Sequence, residues 1–183
     1  MIDRLRHFVG THRIVTSMVL AAGLWFLARP ALPSILAGFP LILVGEGIRT
    51  WASGQIEKNK RLAREGPYAL TRNPLYLGHF FLGLGFCVMA GRWLVSVIFL
   101  PTFAFIYSAT IRAEEETLQK LFGREFEAYR SSVPRFFPRF RSGPTGGRFR
   151  WDLVRKHREF NTWIGIGAGV TVLLLKPILF GWG

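Results

Sequence analysis

The sequence predicts an all-α membrane protein, a polytopic bundle of about five transmembrane helices with a charged extension in its C-terminal half, forming one domain over residues 1–183. Three observations predict it. Hydrophobic residues make up 50% of the chain, yet its formal charge is +13 and its pI near 11.2. Uncharged stretches recur at lengths close to the roughly 20 apolar residues that cross a bilayer. Lysine and arginine are concentrated in alternate connecting segments, the pattern that orients membrane proteins.

Taken in order, the first apolar stretch is 14–28, without a charge between Arg13 and Arg29. The second, 31–48, is broken only by Glu46, and the third, 74–90, contains His79 and Cys87. The fourth, 93–111, is uncharged throughout, and the fifth, 162–182, is interrupted by Lys176. Three cations (Arg4, Arg6 and Arg13) precede the first stretch, six lie from Arg49 to Arg72 and twelve from Arg112 to Arg158, whereas Arg29 and Arg92 stand alone in the other two loops. The segments 49–73 and 112–160 therefore belong on the cytoplasmic side of the cytoplasmic membrane with the N-terminus, and the C-terminus belongs outside. Membrane lipids are the expected partners. Nucleic acid is not, because a nucleic-acid surface needs no apolar spans between its basic patches.

The lone cysteine, Cys87, sits in an apolar run, which excludes a disulfide within the chain and a cysteine metal cluster, so no metal site is expected. The first stretch ends in Leu27-Ala28-Arg29-Pro30 rather than at a small-residue cleavage site, and is expected to be retained. Gly165 and Gly169 give the last span a small-xxx-small face suited to packing or to a homo-oligomer.

Two clusters carry candidate chemistry. The chain between the second and third spans reads Gly66-Pro67-Tyr68-Ala69-Leu70-Thr71-Arg72-Asn73-Pro74-Leu75-Tyr76-Leu77-Gly78. Pro74 disfavours a helical conformation at Asn73 and pre-sets the helix that follows, so Arg72 and Asn73 are expected at the entrance of the third span with polar groups free to bind. Each residue also has a plain reading: an interfacial anchor, an N-cap and an aromatic-belt tyrosine. In the second cluster the helical pattern of the fourth span runs on through Glu114, Glu115, Leu118 and Leu121 to a break at Gly123, and a short helix follows at 124–129. Arg112 can pair with Glu116 at i,i+4, while Glu114 and Glu115 point about 100° apart, so that one faces the protein and the other solvent. Residues 133–150, rich in proline, glycine and arginine, read as an irregular linker on the membrane surface.

Together the clusters resemble the isoprenylcysteine carboxyl methyltransferase and phospholipid methyltransferase superfamily over about 45–138. The resemblance rests on Gly66, Tyr68, Arg72, Asn73, Pro74, Tyr76, Gly78, Glu114, Glu115, Leu118, Phe122, Gly123, Phe126, Tyr129, Val133 and Arg135. Asn73 stands where the isoprenylcysteine enzymes carry histidine and is similar to the phospholipid N-methyltransferases, in which a glycine-x-glycine of the preceding span, here Gly45-Glu46-Gly47, is associated with the cofactor. The resemblance implies S-adenosylmethionine as cofactor, S-adenosylhomocysteine as product, and a lipid-like or prenylated acceptor. It implies cofactor binding by Tyr68, Arg72, Asn73, Pro74, Tyr76, Gly78, Glu114 and Glu115, with Gly45 and Gly47. The candidate catalytic residues are Glu115, Arg135, Arg49 and Glu46. Arg135 or Arg49 would orient an acidic acceptor by paired donors, and Glu46 would act as base if the acceptor is an amine. The reading from another class is a non-catalytic membrane protein that binds anionic lipid through Arg139, Arg141, Arg148 and Arg150.

Overall fold

The computed structural model describes residues 22–180 apart from 24, 58, 59 and 140–145. Among the described residues there is no strand, and the helices are α1 (Leu32–Ser53), α2 (Pro67–Leu70), α3 (Pro74–Met89), α4 (Trp93–Phe122), α5 (Arg124–Ser132), α6 (Trp151–Lys156) and α7 (Glu159–Phe180). The fold is the polytopic helical bundle that hydropathy predicts. Helices α1, α4 and α7 are long and apolar enough to cross a membrane. Helix α3 is shorter, 16 residues, or about 24 Å at 1.5 Å per residue. Most of the expected first span, and Arg141 with it, lies outside the described residues.

Helices α1 and α3 pack side by side and antiparallel through glycines seven residues apart. A Cβ on Gly38 would lie 2.5 Å from the Gly85 carbonyl oxygen, and one on Gly45 would lie 2.8 Å from that of Gly78. Small residues let two backbones approach where apolar surroundings offer no hydrophobic drive between helices. The apolar core continues from this seam: Ile35, Ile42, Leu82, Met89, Val95 and Leu173 are buried together, joining α1 and α3 to the start of α4 and the end of α7. A Cβ on Gly169 of α7 would lie 3.0 Å from the Phe86 ring, whereas one on Gly165 would meet open space, so the small-residue face expected on this helix is divided, one glycine serving contact within the chain.

At the same end, Lys176 of α7 is buried and donates to the carbonyls of Trp25, Phe26 and Ala28, the last of these at 2.7 Å. These carbonyls close a helical turn at 25–27, and an ammonium there satisfies acceptors that a helix end leaves open.

Helix α4 has 30 residues, about 45 Å, and so outruns a hydrocarbon core of about 30 Å. Its last turns carry Glu114, Glu115 and Glu116 beyond the apolar section. Gly123, with φ of 50°, ends α4 and starts α5 in a conformation that glycine adopts without strain. This turn folds α5 back towards the segment preceding α3.

Candidate functional site

The site is built on the stretch 66–73. Gly66, with φ of 55°, turns the chain into Pro67, which opens the single turn α2. Tyr68 is buried there, and the Tyr129 hydroxyl of α5 donates to its carbonyl at 2.7 Å. The chain beyond α5 is stitched to this stretch. The Arg72 amide donates to the Pro134 carbonyl at 2.9 Å and the Arg139 amide to that of Leu70 at 3.0 Å. The Thr71 hydroxyl donates to the Phe136 carbonyl at 2.9 Å, and the Asn73 side-chain amide to that of Arg135 at 2.8 Å. Asn73 does stand at the N-cap of α3, but its side chain makes no cap bond. Its amide fixes the 133–139 loop, so the polar group expected to be free is engaged.

That loop delivers Arg135 to α4. Glu115, 8% exposed, accepts from Arg135 Nε at 3.2 Å and Nη2 at 2.5 Å, and pairs with Arg72 Nη2 at 3.3 Å. The carboxylate thus sits between two guanidinium groups. Nε and Nη1 of Arg72 are buried with no hydrogen-bond partner among the described residues. Burial lowers the Arg72 pKa from its ordinary value, and the neighbouring Glu115 opposes that shift. The Tyr68 hydroxyl is likewise buried without a partner, and desolvation holds its pKa well above the usual tyrosine range, so it stays a neutral donor.

Glu114 is exposed and accepts the Tyr76 hydroxyl at 2.7 Å. Two adjacent acids on one helix therefore do different things, as their angular separation requires: Glu115 turns inward to the arginines and Glu114 outward to Tyr76. Arg112 and Glu116 are both exposed and form no ion pair with each other.

Arg49 and Glu46 belong to a second network, at the end of α1. Arg49 is buried and pairs with Glu159 of α7 at 2.6 Å, and its Nη2 also donates to the Thr162 hydroxyl at 3.1 Å. Its Nε lies 3.7 Å from Glu46. His79 Nδ1 is 2.8 Å from the Leu75 carbonyl, which places the ring proton there and leaves Nε2 to accept from Arg49 Nη1 at 2.5 Å. Glu46 Oε1 accepts from Thr50 at 3.1 Å and from the Trp163 indole at 2.5 Å. Arg49 and Glu46 thus join α1, α3 and α7 in a network separate from the contacts of Glu115. The rings of Tyr76, His79 and Tyr107 stand between the two networks, with centroids 5.1 to 6.1 Å apart.

Pro74 is buried at the first turn of α3, between the Asn73 that holds the loop and the Tyr76 that reaches Glu114. Gly45 and Gly78 meet each other in the α1–α3 seam, and Gly47 has open space around it. Sequence reading missed Glu159, Trp163 and Tyr107, and gave Tyr129 only as part of the resemblance, without its contact to Tyr68. Glu159 had a signal: an acid at the start of an otherwise apolar helix needs a buried cation, and Arg49 closes another such helix.

The fold and site define a polytopic helical membrane protein whose polar residues converge where α3 begins and α4 leaves its apolar section. The family model described as phospholipid methyltransferase matches residues 34–125, half of the chain, and the chain belongs to that family, within the superfamily that also holds the isoprenylcysteine enzymes. Among curated proteins it is 35% identical over 144 residues to the cobalt-zinc-cadmium resistance protein CzcN of Cupriavidus metallidurans, covering 73% of this chain and 65% of that protein. It is 33% identical to the nickel-cobalt-cadmium resistance protein NccN of Alcaligenes xylosoxydans xylosoxydans, covering 76% of this chain and 70% of that one. It is 27% identical to the protein-S-isoprenylcysteine O-methyltransferase of Schizosaccharomyces pombe, over 68% of this chain and 51% of the yeast protein. The chain thus spans from about half to 70% of the length of these relatives. No solved structure matches it.

Proposed function

We propose that this chain is an S-adenosylmethionine-dependent methyltransferase whose acceptor is a lipid-like or prenylated molecule reached from the membrane, with the site on the cytoplasmic side. The observation that carries the proposal is the convergence, inside the family-matched segment and the loop stitched to it, of the Tyr76–Glu114 pair with the Arg72–Glu115–Arg135 cluster.

The residues present fit the cofactor. Tyr68 holds a buried, unused hydroxyl, a donor that a polar ligand satisfies. Glu114, exposed and oriented by Tyr76, offers an anion to its cationic groups or an acceptor to its hydroxyls. When bound, the cofactor supplies an electrophilic methyl group on a sulfonium. The protein's work is positioning, since displacement at such a carbon depends on alignment and needs no covalent enzyme intermediate. Glu115 holds the Arg72 and Arg135 guanidiniums at fixed places. Arg135, with 43% of its side chain exposed, keeps hydrogens available to orient an acidic acceptor.

A second reading, methylation of a phospholipid amine, is favoured by Asn73 and by the description of the matched family. Binding of S-adenosylhomocysteine to detergent-purified protein, followed by calorimetry, tests the common part. The parent protein is expected to bind saturably, and folded Glu114→Gln and Tyr76→Phe variants about tenfold more weakly. A folded parent that does not bind sinks the proposal. Labelled methyl transfer to a prenylcysteine analogue or to phosphatidylethanolamine separates the two acceptors.

A further inference from the structure

Beside the charged cluster lies an open groove of about 680 Å³, lined by Arg72, Arg130 and Arg139 together with Val133, Phe137 and Pro138. No acid lines it among the described residues. Glu115 balances part of the charge behind it but is already shared between Arg72 and Arg135. The Arg72 side chain is 8% exposed, so this is a built-in cation and not a surface one, and two of its nitrogens have no partner among the described residues. Arg130 and Arg139 are exposed at the rim, and Phe137 is 75% exposed there.

We infer that this groove binds the phosphate of an acidic phospholipid headgroup. A space lined by three arginines suits a phosphate, whose oxygens accept paired N–H donors, and an open mouth admits a headgroup. Phe137 and Pro138 supply the apolar rim that a diacyl anion needs and inorganic phosphate does not. The groove sits on the loop stitched to the start of α3, at the level where α4 leaves its apolar section and the headgroups of an anionic leaflet lie. This inference does not depend on the methyl-transfer reading.

The test uses full-length protein in a neutral detergent, titrated calorimetrically with short-chain phosphatidylglycerol, phosphatidylcholine of the same chain length, and inorganic phosphate. The expected result is saturable binding of phosphatidylglycerol, at least about tenfold weaker in Arg130→Gln/Arg139→Gln and unchanged in Arg124→Gln/Arg155→Gln, whose arginines lie outside the groove and remove equal charge. All four positions are exposed, so these variants leave the packing intact. Equal weakening in the two double variants would show that only net charge is sensed, and would overturn the site. Binding of phosphatidylcholine as strong as that of phosphatidylglycerol, or displacement of phosphatidylglycerol by equimolar phosphate, would overturn the acidic lipid as its ligand. Absence of phosphatidylglycerol binding to the parent would overturn it outright. Retained S-adenosylhomocysteine binding by Arg130→Gln/Arg139→Gln keeps failure here separate from failure of the methyltransferase proposal.

Discussion

Along the α1–α3 seam the backbones meet over glycines, and an added Cβ at Gly38 or Gly45 runs into main-chain atoms within 2.8 Å. At the other end of α3, contact is made by long side chains: Tyr76 reaches Glu114, and Arg72 and Arg135 reach Glu115. The seam is intolerant of volume and indifferent to charge, whereas the platform tolerates volume and depends on charge. A backbone cannot retreat from an inserted methyl group without moving its whole helix. A guanidinium on a flexible stem can retreat, but loses its partner.

The largest expected effect tests the seam. Gly45→Leu is expected to abolish a monodisperse peak in detergent gel filtration, because overpacking against immobile backbone costs more than about 3 kcal/mol. Gly47→Ala, two residues away with open space around it, is expected to leave both fold and S-adenosylhomocysteine binding unchanged. Loss of binding in a folded Gly47→Ala protein would place the glycine pair in the cofactor site.

Next in size is Glu115→Ala, which leaves the buried Arg72 charge uncompensated and is expected to cost about 3 kcal/mol in thermal or chemical unfolding. The double change Glu115→Leu/Arg72→Met should recover most of that stability without recovering ligand binding. That outcome would mark the pair as retained for function, and failure to recover would mark it as structural.

Asn73→Ala removes one hydrogen bond to the Arg135 carbonyl and is expected to cost about 1 kcal/mol. Because that bond holds the 133–139 loop, hydrogen exchange at the Arg72 and Arg139 amides should rise with it. An unchanged exchange rate would show that Thr71 and the two backbone bonds secure the loop without Asn73.

The smallest effect is one of pH. Arg150 holds the Asp152 carboxyl below its ordinary value of 3.8. A depressed folded-state pKa contributes stability that is present above the unfolded value and lost as pH falls through the folded one. Both side chains are exposed, so a slight difference in stability between the parent and Asp152→Asn is expected at pH 6, vanishing by about pH 2. A difference that persists in acid would assign Asp152 a packing role.

The aromatic platform shows how far the residue pattern was legible. Tyr76 and Glu114 lie 38 positions apart, and each drew attention by its local company: the Asn73-Pro74 turn for one, the run of adjacent acids for the other. Their 2.7 Å contact could not be read, because it depends on where α4 leaves the bundle relative to the first turn of α3. Arg49 and Glu46 were legible as charges one turn apart, but their partners on α7 were not, since Glu159 and Trp163 arrive from more than a hundred residues downstream.

What the sequence by itself determined is set by local physics. Apolar length selects the membrane-crossing helices. Gly66, Pro74 and Gly123 set the turns by backbone conformation, and the 100° step of a helix separates Glu114 from Glu115. What only the tertiary structure decided is which glycines are seam and which are open, and which arginine answers which acid. Both depend on the antiparallel register that sets Gly38 against Gly85 and Gly45 against Gly78. A glycine carries no side chain to reveal its neighbour, and an arginine's reach spans several candidate partners until packing removes all but one.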